Sequence, residues 1–437
     1  MARTYLTSII GAIPCVYKHS PDDFVVEEVP AFLPCGEGQH LWMWVEKRGK
    51  TTDQALGVLA AALGCSRRKL RVGGKKDAQA VTVQWVSLDL PPKDYEARLA
   101  AMDTGAEVRD GYVRVLKTRL HRTAHGLGRT HGNRFRIRLR DVPADRVEDL
   151  RQVMATLKQR GVPNFFGRQR FGFRGDTDLV GGALLRERDM EAVSLICGRA
   201  GDLDTGRRRE ARVAFDAGDL GASLAAWPRS DFGPQQLLRS LVRQGAGLTE
   251  ASAKVAIESL DRRDLGFYLS AFQSRLFDQV LARRIEHFDE IWPGDLALRL
   301  PGARKAFLVE DLAAEQARAA AGEITASGPL FGPKMPAPEG RAAAMEQAVL
   351  AANGWGQYDL QGARFQHSPG ARRPLRIPLM DLDIRDMTGG DVGIVELSFQ
   401  LPKGCFATSV LAEIQKPLAS TTAIYAPSAA PLWGSAR

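Results

Sequence analysis

The chain has 437 residues, of which 44% are hydrophobic and 25% charged, and its net charge at neutral pH is +9. This length predicts two or three domains of ordinary globular composition, and the excess of basic residues gives weak support for a nucleic-acid partner. The five cysteines lie far apart without a C-x-x-C pair, and the N-terminus lacks an export signal. We therefore expect a cytoplasmic protein with no disulfide framework, no thiolate zinc site and no membrane span.

The first third of the chain predicts a sheet with helices beside it. Four runs alternate with the two-residue period of a strand and are rich in β-branched or aromatic residues. These runs are Asp23–Val29, His40–Arg48, Ala80–Leu88 and Asn133–Asp141. Thr51 and Gln54 form a capping box and Gly64 stands at a C-cap position, which predicts a helix between them. A second helix is predicted from Asp145 to Gly161, where the apolar residues form one stripe.

The rest of the chain first becomes helical and then returns to strands. The segment from Arg186 to Ala363 is Ala-rich with helical texture, whereas 392–402 reads as a strand and 406–414 as a short helix. The tail after Pro417 has the composition of a disordered segment. A strand-rich, helix-rich, strand-rich order predicts an α+β protein with one domain inserted into another, so that the first and last segments share a sheet. We place one domain at 1–185 and 364–437 and the inserted domain at 186–363.

The sequence "GGKKD" places a single carboxylate, Asp77, on a short loop before a predicted strand. Gly73 and Gly74 permit close approach of the backbone to a ligand, while Lys75 and Lys76 would stabilise negative charge and attract phosphate. This setting suits a nucleophile or base acting on nucleic acid. Read locally, however, a solvated turn residue is favoured. A phosphate loop is excluded, because neither the leading Gly nor the Ser or Thr after the Gly-Lys pair is present.

A second segment, "GVPNFFGRQRFGFRG", interleaves phenylalanines with arginines and begins with Asn164 near its entrance. Such a segment can stack on exposed bases and hold phosphates. The alternative, which we consider equally, is a loop whose phenylalanines are core residues and whose arginines are solvated. A third segment carries His121, His125 and His131, for which a cationic strand and loop is favoured over a metal site, because no carboxylate or cysteine stands nearby.

The first two of these segments, together with three other motifs, resemble the TruD family of tRNA pseudouridine synthases. The five stretches occur in the order of the family and extend from about Lys18 to Ile414. They are "KHSPDDFVVEEV", "GGKKDAQAVTVQ", "VPNFFGRQRFG", "AFQSRLFDQVLARRI" and "LSFQLPKGCFATSVLAEI". The resemblance implies a pseudouridine synthase core, with a mixed and mainly antiparallel sheet and helices, interrupted by a helix-rich α/β insertion (TRUD) domain.

The same resemblance implies a cofactor-free, metal-free isomerase that acts on tRNA, at uridine 13 of the D arm. Asp77 falls on the catalytic aspartate of the family. Lys18 falls on a basic residue that could pair with Asp77, and Phe24, Asn164, Phe166 and Phe406 fall on residues of the substrate pocket. An unpaired or flipped base would be held between flat side chains there.

The sequence departs from the family pattern in the basic segment before β-strand 133–141, where it reads Ala124-His125-Gly126, and in the last motif, where Ala412 replaces a common Arg. The segment 201–264 is longer than in compact members of the family.

An alternative function is a catalytically silent RNA-binding or RNA-chaperone protein that uses the same basic and aromatic surface. We expect a monomer, because no exposed apolar stripe demands a partner.

Overall fold

A computed structural model describes residues 4–102, 111–300, 302, 305–356, 364, 368–387 and 392–416. The predicted disordered tail after Pro417 lies outside the described residues. The described chain forms two compact units. The first comprises the described residues of Met1–Val162 and Arg376–Thr421, and the second comprises those of Pro163–Leu375. These bounds differ from the domain bounds expected from sequence texture, and the assignment of an inserted domain at 186–363 stays a prediction.

The strands of the described chain are numbered in chain order. They are β1 (Phe24–Pro30), β2 (His40–Arg48), β3 (Leu70–Val72), β4 (Val81–Asp89), β5 (Tyr112–His121), β6 (Thr130–Pro143), β7 (Val162–Pro163), β8 (Leu296–Arg299), β9 (Phe307–Leu308), β10 (Ile324–Leu330), β11 (Ala371–Pro374), β12 (Arg376–Ile377), β13 (Met380–Asp386) and β14 (Val392–Pro402).

The α-helices are numbered in the same way. They are α1 (Thr52–Leu63), α2 (Tyr95–Met102), α3 (Val147–Arg160), α4 (Thr177–Leu185), α5 (Asp189–Cys197), α6 (Gly206–Asp216), α7 (Leu220–Ala226), α8 (Phe232–Gln244), α9 (Glu250–Glu258), α10 (Arg262–Arg283), α11 (Leu312–Ala320), α12 (Gly340–Ala352) and α13 (Ala407–Gln415).

The first unit is built on an eight-stranded mixed sheet with the order β13-β14-β6-β1-β4-β2-β5, and β3 pairs with β4 beside β1. The pair β1 and β4 is parallel, with Val26 opposite Thr82, and the other strand pairs of this sheet are antiparallel. Strand β14 lies against β6, with Leu397 opposite Ile137. The prediction that the first and last segments of the chain share a sheet is therefore confirmed.

The predicted local elements of this unit are confirmed within one to three residues. In α1, the Thr51 hydroxyl accepts from the Gln54 amide at 3.1 Å, and Gly64 closes the helix in the left-handed conformation with φ of 63°. The sequence did not predict β3, β5, β13 or α2. Strand β5 shows why, because Val113 and Val115 keep a two-residue period but Leu116 and Leu120 fall on the alternate positions.

One face of this sheet carries two separate hydrophobic clusters with polar residues between them. Helices α3 and α13 pack on β1, β6 and β14, and helix α1 packs on β2 and β4. Lys47 is the cross-strand neighbour of Thr82, and Thr82 that of Val26 in the first cluster, so the polar side chains of Lys47 and Thr82 lie on the same face as both clusters. The buried polar side chains of Glu28 and Gln84 follow on that face. This polar row lies next to the loop that leads into β4.

The second unit is mainly helical, as the sequence predicts. Residues of α4, α5, α8, α9, α10 and α12 form its main hydrophobic cluster. It also contains a four-stranded sheet with the order β11-β10-β8-β9, whose strands the sequence did not identify. Short strands such as Phe307–Leu308 give too few residues for a periodic signal. Within the described residues, every helix is too short or too polar to cross a bilayer.

Candidate active site

Asp77 lies on the loop between β3 and β4, and neighbouring elements hold the backbone of this loop. The Gln84 side chain donates to the Gly74 carbonyl at 3.0 Å. The Thr52 hydroxyl, at the start of α1, accepts from the Lys76 amide at 2.9 Å. The loop is thus anchored to both a strand and a helix before it reaches Asp77.

Two lysines from other parts of the chain approach Asp77 from different sides. The Lys18 ammonium lies 3.7 Å from Asp77 Oδ1, and the Asp77 side chain is 45% exposed. The Lys47 ammonium donates to the main-chain carbonyl of Asp77 at 2.6 Å. The carboxylate is therefore accessible to a ligand, and two positively charged side chains lie beside the residue that carries it. The pairing of Lys18 with Asp77 agrees with the expectation from the family resemblance.

The two lysines adjacent in sequence do not behave as expected. Lys75 points away from Asp77 and donates to the Asp53 carboxylate at 2.8 Å, and this hydrogen bond is the main reason that the pKa of Asp53 is lowered. Lys76 is buried, with its ammonium 3.7 Å from Glu28. Burial lowers the pKa of Lys76, and the Glu28 carboxylate opposes that shift. The charge beside Asp77 therefore comes largely from Lys18 and Lys47.

A buried pair lies behind the loop. Glu28 Oε1 and His125 Nε2 are 3.1 Å apart, and both side chains are buried. A Cβ atom at Gly73 would lie 2.7 Å from His125 Nε2 and 2.7 Å from Thr130 Cγ2. The backbone at Gly73 thus closely approaches other residues of the protein rather than open space. This corrects the interpretation that this glycine permits close approach of a ligand. Around Gly74, by contrast, a Cβ would meet no atom within 4 Å.

Sequence reasoning missed Lys47. It lies on β2 and is only 2% exposed. Burial is the main reason that its pKa is lowered to about 8, Lys76 and Lys18 lower it further, and Asp77 opposes the shift. The sequence does contain a pattern that indicates a buried lysine. Alternate positions of β2 are occupied by Leu41, Met43, Val45 and Lys47, so Lys47 continues an apolar face. A lysine on such a face indicates a specific partner for its ammonium group.

The two predicted aromatic faces of the first unit differ in accessibility. Phe24 is 2% exposed, with the Lys18 ammonium 4.2 Å from its ring centroid and the Phe135 ring at 6.2 Å. Contact of a base with this ring requires movement of Lys18. Phe406, the residue before α13, is 55% exposed. Its ring is therefore open to a planar ligand.

Asn164 is buried in the second unit and bonded to its backbone. Its side-chain amide donates to the Pro374 carbonyl at 2.8 Å, its main-chain amide donates to Leu375, and its side-chain oxygen accepts from Arg373. Of the two roles that we consider for Asn164, contact with a base and fixing of the loop, these bonds support the second.

Phe166 lies next to Asn164 in the same unit, between cations. The guanidinium carbon of Arg373 is 4.1 Å from its ring centroid and that of Arg170 is 5.3 Å away, while Phe277 contacts its edge. Elsewhere in this segment Phe165 and Phe171 are core residues and Phe173 is exposed. Phe165 and Phe171 therefore fit the interpretation of core phenylalanines, and base stacking by other residues of this segment stays a prediction.

The three histidines of the basic segment do not share one site. His125 pairs with Glu28, whereas His121 Nδ1 lies 3.2 Å from the Cys35 sulfur. His131 is exposed on β6. In the part of the chain that the structure describes, no three His, Cys, Asp or Glu side chains are placed to hold a metal ion.

Known proteins match this chain over nearly its whole length. The family model described as tRNA pseudouridine synthase D (TruD) matches residues 2–414. A protein of that name from Geotalea daltonii is 39% identical over 414 residues, covering 94% of this chain and 99% of the relative. One from Thermus thermophilus is 33% identical over 414 residues, covering 94% of this chain and 92% of the relative.

A crystal structure of a candidate tRNA pseudouridine synthase D from Methanosarcina mazei has the same fold. Its TM-score is 0.81 at 25% identity, and the match covers 95% of this chain and 96% of that one. The fold and these matches together assign the chain to the class of RNA-modifying isomerases. The chain belongs to the TruD family of tRNA pseudouridine synthases. It is thus an enzyme of RNA modification rather than the catalytically silent RNA-binding protein that we considered as an alternative.

Proposed function

We propose that this tRNA pseudouridine synthase uses Asp77 as its catalytic residue, without a cofactor, and that its substrate is uridine 13 in the D arm of tRNA. The observation that supports Asp77 is its accessible carboxylate beside Lys18, on a loop that Lys47 and Thr52 hold in place. The choice of uridine 13 rests on the family resemblance alone.

The reaction is an isomerisation, so it needs neither a redox partner nor phosphate energy. The N1–C1′ bond of uridine breaks, the uracil turns, and C5 bonds to C1′. C5 then loses its proton and N1 gains one, so the atoms balance. Asp77 either attacks C1′ as a nucleophile, forming an ester bond that breaks when C5 bonds to C1′, or removes the 2′ proton to form a glycal and returns that proton to C2′ as C5 bonds to C1′. In both routes negative charge moves between the carboxylate and the uracil, and a cation at the distance of Lys18 stabilises it.

The remaining predicted residues take roles that match their surroundings. Phe406 offers an exposed ring on which the detached uracil can stack. Phe24 supports the Lys18 ammonium through its ring face and meets the base only if Lys18 moves. Asn164 fixes the segment that carries Phe166, whose neighbouring arginines provide charge for RNA phosphates.

The test is Asp77→Asn, assayed by single-turnover pseudouridine formation on a tRNA transcript and by equilibrium tRNA binding. We expect the rate to fall by about four orders of magnitude or more, because the variant keeps the shape but cannot act as nucleophile or base. Binding should stay within about twofold. Asp53→Asn is the matched control, since Asp53 is similarly exposed and also contacts this loop through Lys75. A normal rate for Asp77→Asn would overturn the assignment.

The site and the route have separate tests. Carbodiimide mapping of tRNA from cells with and without the protein should show one lost pseudouridine at position 13, and loss at another uridine instead would contradict that position. RNA with deuterium at C2′ distinguishes the routes. A primary isotope effect in the single-turnover rate supports the glycal route, and its absence supports nucleophilic attack at C1′.

A further inference from the structure

We propose that Lys47 is a positioning residue of the pseudouridine synthase reaction, which clamps the main chain of Asp77 so that its carboxylate keeps one orientation towards the ribose. This inference rests on the proposed catalytic role of Asp77. It concerns a residue that lies outside the loop and outside the five motifs that carry the family resemblance.

The contact is direct, and the place of Lys47 in the sheet fixes it. Lys47 stands opposite Thr82 in the antiparallel pair of β2 and β4, so its side chain shares the face on which Asp77 approaches the sheet. The side chain is 2% exposed, and its ammonium donates to the Asp77 carbonyl at 2.6 Å. A buried ammonium is costly unless a hydrogen bond or a charge offsets the loss of water. We therefore infer that the hydrogen bond from the Lys47 ammonium to this carbonyl has a specific role.

The other anchors of the loop hold earlier peptide units. Gln84 binds the carbonyl of Gly74, and Thr52 binds the amide of Lys76. Lys47 binds the residue that carries the carboxylate. Loss of this bond would leave the loop attached but allow the Asp77 peptide to rotate, and a displacement of about 1 Å at a reacting group can cost about a hundredfold in rate.

The charged groups that face Lys47 come from two neighbouring segments. Asp77 and Lys76 approach from the loop, and Lys18 approaches from the segment before β1. Lys76 is in turn paired with Glu28, which also contacts His125. Burial and the two other lysines bring the pKa of Lys47 to about 8. As the pH rises through that value the ammonium becomes neutral, so the charge-assisted part of the clamp is lost and the rate should fall.

The experiment compares single-turnover rates of wild type, Lys47→Met and Lys47→Arg from pH 6 to pH 10, together with tRNA binding and thermal melting. For Lys47→Met we expect a rate about ten- to a hundredfold below wild type at pH 7, with tRNA affinity within about twofold and no alkaline limb near pH 8. Lys47→Arg should recover part of the rate and move the limb beyond the measured range, because guanidinium stays protonated.

Each outcome has a distinct meaning. A wild-type rate and wild-type pH profile for Lys47→Met would overturn the role of Lys47, even if Asp77→Asn is inactive and the proposed function stands. Activity in Asp77→Asn would instead overturn the proposed function. If Lys47→Met fails to fold, Lys47→Arg carries the test, and an unchanged alkaline limb in that variant would contradict the inference. Lys75→Met serves as the control from the same loop, because Lys75 pairs with Asp53.

Discussion

The Lys18 ammonium lies 3.7 Å from the Asp77 carboxylate while its own backbone has a φ of 57°. A lysine in the left-handed region costs about 1–2 kcal/mol relative to the ordinary region. The same ammonium lies 4.2 Å from the centroid of the Phe24 ring. The surrounding structure thus maintains an unfavourable backbone conformation at a residue whose charge faces the proposed catalytic group, which is common at functional sites.

Replacement of Lys18 by Met should slow the reaction without unfolding the protein. We expect the single-turnover rate to fall about ten- to a hundredfold, because the charge that stabilises the transition state is lost. Lys75→Met, in the Asp77 loop but paired with Asp53, should keep nearly the wild-type rate. Equal rates for the two variants would show that Lys18 has no electrostatic role.

Replacement of Gly73 by Ala should destabilise the protein, whereas replacement of Gly74 should not. The new methyl group at Gly73 would lie 2.7 Å from His125 Nε2, and that ring is held by Glu28. We expect a loss of about 1–3 kcal/mol in the free energy of unfolding and a slower reaction, since the loop must shift. Thermal melting and single-turnover rates of both alanine variants test this. Equal melting temperatures would contradict the close packing at Gly73.

Replacement of Asn164 by Ala should lower the stability of the protein, and any loss of tRNA affinity should follow from that lower stability. The variant loses the hydrogen bonds to Pro374 and Arg373, which should cost about 1–3 kcal/mol in the free energy of unfolding. Gln169→Ala, at an exposed position of the same segment, is the control and should melt like wild type. Weaker tRNA binding by Asn164→Ala at an unchanged melting temperature would favour a base contact instead.

Replacement of Phe406 by Ala should slow turnover without a change in stability. The ring is 55% exposed, so little packing is lost, whereas the loss of a stacking partner for the uracil should cost about ten- to a hundredfold in single-turnover rate. Phe232→Ala removes another exposed ring, at the start of α8, and should have no effect on the rate. Unchanged single-turnover kinetics in Phe406→Ala would remove this residue from the pocket.

The buried thiols predict a loss of stability at alkaline pH. Burial raises the pKa of Cys15 from 9.0 to about 11 and that of Cys197 from 9.0 to about 12. Because the unfolded thiols ionise first, this contribution to stability is fully present below about pH 9 and decreases as the pH rises towards the folded values. Melting in reducing buffer should show that decrease, and Cys15→Ala with Cys197→Ala should reduce it.

Alkylation tests the same thiols independently. At pH 8 a haloacetamide should label the exposed Cys35, while Cys15 and Cys197 should react only after denaturation, because the thiolate is the reactive form and burial suppresses it. Rapid labelling of Cys197 in the native protein would contradict its burial.

Much of the fold could be predicted because its signals are local. Strand β2 was predicted with its observed bounds, and α1 was predicted with both of its caps, since a capping box and a two-residue period depend only on adjacent residues. The short strands of the second unit escaped prediction because two to four residues cannot establish a period. The order of the motifs indicated the family, and Asp77 and Lys18 are brought together as expected.

The sequence by itself determined the periodic elements and indicated the family, and the resemblance to that family singled out the residue that we propose for catalysis. Only the tertiary structure decided which cations surround that residue. Lys47 and Asp77 are 30 positions apart, and Glu28 and His125 are 97 positions apart. Periodicity assigns a side chain to a face of a strand but does not say which strand lies beside it. That neighbour is set by the pairing of β2, β4 and β1 in the sheet, which placed Lys47 at Asp77, whereas Lys75 is held away from it by Asp53 of α1.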